Sequence, residues 1–175
     1  MRVIFLDRDG VINKYPGDRA YVTSLRKFKF LPGAKKAISL LSKAGFKIFV
    51  ASNQAGVGRG MYSQRTLDRI TAYMLEEVKK AGGHIDKVYY CTHRKDAGCR
   101  CRKPRPGMLK KAAREFKFSL KNAYFVGDTD LDVRTAHNAG CKSIFVTCGA
   151  NKGDGPILPD LVFDNLSEAA EYLVK

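Results

Sequence analysis

Residues 3–11 read Val-Ile-Phe-Leu-Asp-Arg-Asp-Gly-Val, and this stretch decides the fold. An unbroken apolar run with β-branched and aromatic side chains predicts a strand buried on both faces, because a strand with one wet face would alternate. The run then gives way to Asp7, Asp9 and Gly10, the composition of a turn. A doubly buried strand ending in carboxylates delivers those carboxylates to one edge of a sheet.

The same pattern recurs along the chain. Apolar runs over 3–7, 47–52, 87–92, 123–128, 142–147 and 161–163 predict six strands. Between them, Ala34, Ala37, Ile38 and Leu41 recur at helical spacing, with Pro32 before them and Gly45 after. Leu67, Ile70, Met74 and Val78 repeat the pattern from a Ser63 N-cap to Gly82-Gly83. Pro106 opens a third helix, a fourth runs from near Leu131 to Gly140, and a last one follows Ser167. Strict alternation of strand and helix predicts an α/β protein, a three-layer Rossmann-like parallel sheet with right-handed crossovers, as one domain over 1–175. Residues 10–31 and 93–105 fit no regular element and are expected to lie over the carboxyl ends of the strands, where ligands bind in open sheets. The first of these loops has room for a small β-flap, and no connection has room for a large cap domain.

A chain of 175 residues with 45% apolar composition can bury one proper core. No apolar run is long enough to span a bilayer, and the first one is too short for a signal peptide. These features predict a cytoplasmic protein that does not engage membranes. Lys+Arg number 32 against 17 Asp+Glu, a formal charge of +15. The lysines are scattered (Lys27, Lys29, Lys35, Lys36, Lys79, Lys80, Lys110, Lys111) rather than interleaved with aromatic residues. A small phosphorylated molecule is therefore favoured over nucleic acid as the partner, with the chain a monomer or small homo-oligomer.

Every strong polar signal falls where a strand ends. The first strand ends in Asp7 and Asp9, and the second in Ser52-Asn53-Gln54. The third ends in a Cys/His cluster that leads into Arg102-Lys103-Pro104, and the fourth in Gly127-Asp128 with Asp132 beyond. Taken singly, each reads as a turn or a helix cap. A parallel sheet brings all four sets to one rim. Carboxylates gathered there cannot all stay ionised without a cation, and Lys103 neutralises only part of the charge. Oxygen-only donors fit Mg²⁺. A carboxylate can attack phosphorus to give an aspartyl-phosphate, the metal shielding its charge while a hydroxyl and a lysine clamp the phosphoryl oxygens.

The five cysteines are unevenly placed. Cys91-x-His93-x₅-Cys99-x-Cys101 supplies three thiolates and an imidazole, a closed tetrahedral set with no open position. This predicts a structural zinc over the loop 91–101, pinning it and aiming Arg102 and Lys103 at the substrate. An odd cysteine count in a chain without a secretion signal argues against a disulfide framework. Cys141 and Cys148 are expected as small buried side chains, and His84 and His137 as surface or structural residues.

The D-x-D-G-V, S-N-Q, K-P and G-D-x-x-x-D set, in this order over nearly the whole chain, resembles the haloacid dehalogenase superfamily of phosphatases. Within it, the fuller D-R-D-G-V-I-N, S-N-Q-A-G-V-G-R-G and C-x-C-R-K-P-x-P-G-M-L segments are similar to the heptose-bisphosphate and histidinol-phosphate phosphatase families. The resemblance implies Asp7 as nucleophile and metal ligand. It implies Asp9 as general acid and then base, lending its carbonyl to the metal, and Asp128 as the third Mg²⁺ ligand. Ser52 and Lys103 would hold the phosphoryl group, Asn53, Gln54 and Arg102 would contact substrate, and Asp132 would support the site without binding metal. The implied reaction is removal of the 7-phosphate from D-glycero-D-manno-heptose 1,7-bisphosphate, with histidinol phosphate or a nucleic-acid 3′-phosphate as alternatives. Where the heptose-bisphosphate family often carries a lysine directly after the metal-binding aspartate, this chain has Thr129, which bears on recognition of a second anionic group.

Overall fold

The computed structural model describes residues 1–17, 20–147 and 156–175. Six parallel strands, β1 (Arg2–Leu6), β2 (Phe46–Asn53), β3 (Lys87–Cys91), β4 (Ala123–Gly127), β5 (Lys142–Val146) and β6 (Leu161–Phe163), form one sheet. Their order is β3-β2-β1-β4-β5-β6. The order reverses between β1 and β4, and the crevice beyond their carboxyl ends is where an open α/β sheet receives a ligand. All six expected strands form, with ends shifted by a residue or so.

The helices are α1 (Ala34–Lys43), α2 (Gln64–Lys80), α3 (Gly107–Glu115), α4 (Asp130–Ala139) and α5 (Leu166–Val174). The Ser63 hydroxyl caps α2 by accepting from the Thr66 N–H at 3.1 Å. The last helix starts before Ser167 rather than after it, because Asn165 supplies the cap and accepts from the Glu168 N–H at 3.1 Å. Among the described residues of 10–31, where there was room for a small β-flap, the structure places an antiparallel bridge between Asn13 and Phe30 and a 3₁₀ turn at Leu25–Lys27. Cys148 lies outside the described residues, while Cys141 is buried.

Alternation along each strand sends side chains to two cores. Ile4 and Leu6 of β1 join Ile48 and Val50 of β2 against α1, α2 and α5. Val3 and Phe5 point the other way and join Phe49, Phe125 and the α3 residues Met108, Leu109 and Ala112. Three layers result, helix on sheet on helix. The second core is largely aromatic. Phe49 lies 5.4 Å from Phe5, 4.8 Å from Phe116 and 5.5 Å from Phe118 between ring centroids.

Phe49 is fully buried at the centre of that cluster. Phe49→Ala is expected to cost about 3–5 kcal/mol in chemical denaturation, and a loss under 1 kcal/mol would show that the cluster is not the hub of this layer.

Candidate active site

The turn after β1 carries the first carboxylate. Asp7 is anchored by its own N–H, which donates to the Val126 carbonyl of β4 at 2.9 Å, so the adjacent strand ends are tied together at the crevice. Gly10 follows with φ +86°, and a Cβ there would fall inside the van der Waals envelope of the Asp128 carboxylate. Only glycine both takes that backbone conformation and lets Asp128 approach.

Asp7, Asp128 and Asp132 each offer an oxygen, and the three oxygens lie within 4.8 Å of one another. Lys103 enters from the loop after β3, with Nζ 2.8 Å from Asp7 Oδ2 and 2.6 Å from Asp132 Oδ1. All four side chains are buried. Three carboxylates against one ammonium leave a surplus of two negative charges, the charge of one divalent cation. Burial, partly offset by Lys103, pushes the Asp7 carboxyl up to about 6. Burial, reinforced by Asp7 and Asp132, pushes Asp128 up to about 8. Hard oxygen donors with this surplus suit Mg²⁺. Asp132 is the least available of the three. It accepts from Lys103 and, through Oδ2, from the Thr129 N–H at 3.2 Å and hydroxyl at 2.6 Å.

Asp9 is held differently. Its carboxylate accepts from Arg8 at 3.1 Å, from Asn13 Nδ2 at 2.8 Å and from Gln54 Nε2 at 2.8 Å. Arg8 is completely buried and also donates to Gln54 Oε1 at 2.9 Å. Sequence reading passed over Arg8, although a cation between two candidate aspartates at a buried strand end is a signal for such a clamp.

A hollow of about 220 Å³ opens here, lined by Asp7, Asp9, Ser52, Asn53, Lys103 and Asp128 among others. Six of the eight residues expected around the phosphoryl group therefore share one cavity. Gln54 is not on its wall. It is buried behind Ser52, with its amide committed to Asp9, Ser52, Arg8 and Tyr62, so it orients Asp9 rather than reaching outward. Arg102 lines the adjoining hollow instead. Asn53 faces the cavity and holds the lysine loop: its Oδ1 accepts from the Lys103 N–H at 3.1 Å.

The Cys/His cluster is assembled next door. Asn53 and Cys91 are partners in the β2–β3 register, and the Gln54 N–H donates to the Cys91 carbonyl at 2.8 Å. Cys91 Sγ is 3.5 Å from Cys99 Sγ and 3.2 Å from Cys101 Sγ, and His93 Nδ1 is 3.2 Å from Cys101 Sγ. A tetrahedral zinc with sulfur ligands at ~2.3 Å needs sulfur atoms about 3.8 Å apart, so the donors stand close to that geometry. Burial pushes Cys91 up to about 12. At Cys99 burial acts the same way, but a backbone hydrogen bond at Arg102 and the neighbouring thiols outweigh it and bring the thiol to about 7.

Comparison with known proteins agrees with this geometry. A family described as HAD-hydrolase-like matches residues 100–169. The D-glycero-β-D-manno-heptose-1,7-bisphosphate 7-phosphatase of Pseudomonas putida is 40% identical, over 99% of this chain and 100% of that one. The chain belongs to the heptose-bisphosphate 7-phosphatase family. A Campylobacter jejuni member, named for the α-anomer, is 36% identical over 98% of this chain and 95% of its own. The crystal structure of the Bordetella bronchiseptica D,D-heptose 1,7-bisphosphate phosphatase, complexed with magnesium and phosphate, superposes with a TM-score of 0.92 at 36% identity, covering 99% and 98% of the two chains. No connection among the described residues carries a cap-sized insertion. No helix of the described residues is long and apolar enough to cross a membrane.

The family site has a consequence for stability. Asp7 and Asp128 titrate above their ordinary value of 3.8, so the folded protein holds protons that the unfolded chain has released. Their contribution is then most favourable below pH ~4 and is lost as pH rises toward 8. In metal-free solution Asp128→Asn should melt a few degrees above the parent at pH 8, with the gap closing by pH 5, and Mg²⁺ should raise only the parent's melting temperature. A gap that does not change with pH would show that Asp128 is not strained by its neighbours.

Proposed function

We propose that this chain is a Mg²⁺-dependent phosphatase that works through an aspartyl-phosphate on Asp7 and removes the 7-phosphate of D-glycero-D-manno-heptose 1,7-bisphosphate. The observation that carries the reading is the placement of Asp7. Its Oδ1 accepts from the Arg8 N–H at 2.7 Å and its Oδ2 meets Lys103, so the carboxylate is fixed on the cavity wall beside Asp128. The full-length likeness to named heptose-bisphosphate phosphatases supports the substrate.

Asp7 and Asp128, with the Asp9 carbonyl, would hold the metal. Bound there, Mg²⁺ supplies the charge that lets a carboxylate and a phosphate dianion meet. Lys103 and Ser52 hold the phosphoryl oxygens as charge develops on them. An Asp7 oxygen attacks phosphorus, the bond to the sugar's C7 oxygen breaks, and Asp9 gives that oxygen a proton. Asp9, now a carboxylate, takes a proton from water as its oxygen attacks phosphorus. The Asp7–phosphorus bond breaks, and inorganic phosphate leaves. Arg8, Asn13 and Gln54 keep Asp9 in position for both transfers.

The donors Cys91, His93, Cys99 and Cys101 fit a structural zinc, which would fix the loop leading to Lys103. Three reduced thiols require a reducing compartment, which agrees with a cytoplasmic setting.

Phosphate release is best measured on both anomers of the bisphosphate, on histidinol phosphate and on a 3′-phosphorylated oligonucleotide, with and without Mg²⁺. The heptose should be preferred, and Asp7→Asn should lower kcat at least about a thousandfold on every substrate. Histidinol phosphate turned over a hundredfold better would overturn the substrate. Retained turnover in Asp7→Asn would overturn the mechanism.

Metal analysis should find one zinc per chain, and its removal should lower both melting temperature and activity. A zinc-free protein with full activity would sink the pinning role.

A further inference from the structure

Helix α3 carries Lys110, Lys111 and Arg114 and a single acid, Glu115, which Lys87 and the Tyr89 hydroxyl already engage. Lys110 and Arg114 stand one turn apart, where like charges repel. On α2 the comparable cation is matched, Lys80 meeting Glu76 at 2.9 Å and Glu77 at 3.0 Å. Arg100 joins the α3 cations from the loop before the helix. A Cβ at Gly107 would collide with the Arg100 carbonyl, so glycine lets that loop press against the first turn. Arg100, Lys110 and Arg114 are exposed and make no ion pair among the described residues.

These cations rim a hollow of about 820 Å³, within the ~300–1,000 Å³ usual for small-molecule sites. Its lining also includes Pro106, Ala113, Phe118 and Leu120, and no carboxylate. Phe118 is half-buried and stacks on Phe49 with 5.5 Å between centroids, so the aromatic core holds the ring in the wall. None of the lining residues also lines the catalytic hollow. Arg105 stands between this hollow and the one beside Lys103, with its guanidinium engaged by the Gly98 and Cys99 carbonyls.

A ligand for this hollow needs a compact polyanionic end for three unmatched cations and a flat apolar body for the ring beside them. Guanidinium groups bind phosphate through paired N–H donors, and an aromatic side chain stacks a base. We propose that the hollow is a nucleotide site, taking a nucleoside polyphosphate with its phosphates on Arg100, Lys110 and Arg114 and its base on Phe118 and Leu120. The site is separate from catalysis and stands whatever ester the chain hydrolyses.

Calorimetric titration with ATP tests this, in the Asp7→Asn chain so that the catalytic hollow leaves the probe intact. ATP should bind with a dissociation constant of about 100 µM or below, and adenosine and tripolyphosphate each at least about tenfold more weakly, since each keeps only part of the contacts. Lys110→Glu with Arg114→Glu should weaken ATP about a hundredfold, each charge contact being worth about tenfold. Arg100→Glu, on the exposed loop, should cost about tenfold without altering the helix. ATP affinity unchanged in both variants would overturn the site. Tripolyphosphate binding as tightly as ATP would overturn the nucleotide assignment. A single-stranded oligonucleotide bound far more tightly than ATP would overturn it in favour of nucleic acid.

Discussion

Lys103 is the contact on which the rest of the site depends. A buried ammonium between Asp7 and Asp132 joins the end of β1 and the first turn of α4 to the loop after β3. Such a group is a poor device for stability. Burying charges in this way costs several kcal/mol per ion before their attraction is counted, and apolar replacements are often as stable. With all three carboxylates ionised, two negative charges would remain uncompensated as well. The arrangement makes physical sense as a seat prepared for a cation and a phosphoryl group, held in place by cores that carry the stability elsewhere.

Those cores explain why the seat holds its shape. The ends of β1 and β4 are hydrogen-bonded side by side, and both strands are buried on both faces. The cluster loop is tied in by the β2–β3 register, which sets Cys91 beside Asn53, and by the Asn53 side chain on the Lys103 N–H. From the Cys/His cluster to the lysine the path runs through backbone and one amide, with no long flexible link. A disturbance at Cys91 is therefore felt at Lys103.

Most of the fold was legible because the strands are doubly buried and their apolar runs stand out from the helices' three- and four-residue spacing. The site was legible where residues sit at strand ends, since topology alone then brings them together. What sequence could not give was the direction of side chains leaving those ends. Ser52, Asn53 and Gln54 are consecutive, yet the first two line the cavity and Gln54 lies behind it. Arg102 and Lys103 are neighbours, yet Arg102 lines only the adjoining hollow while Lys103 reaches both. The position of Arg8 between two candidate aspartates was a signal in the sequence, but its full burial against Asp9 and Gln54 shows only in the structure. The start of α5 was missed because Asn165, an equally good cap, precedes Ser167.

Asp7 and Asp9 differ by two positions and by almost everything in their surroundings. Asp7 faces Lys103, Asp128 and Asp132, where burial opposes its charge and where an incoming cation and phosphorus would both be met. Asp9 is gripped by Arg8, Asn13 and Gln54 through a network that reaches Tyr62 and shares no carboxylate with the first. In the proposed mechanism one carboxylate makes a bond and the other moves a proton, and environment rather than residue type would divide the work. That division needs Gly10: without it the turn could not take its left-handed conformation while Asp128 closes in from β4. The smallest residue in the motif thus lets the Asp128 carboxylate close in beside Asp7.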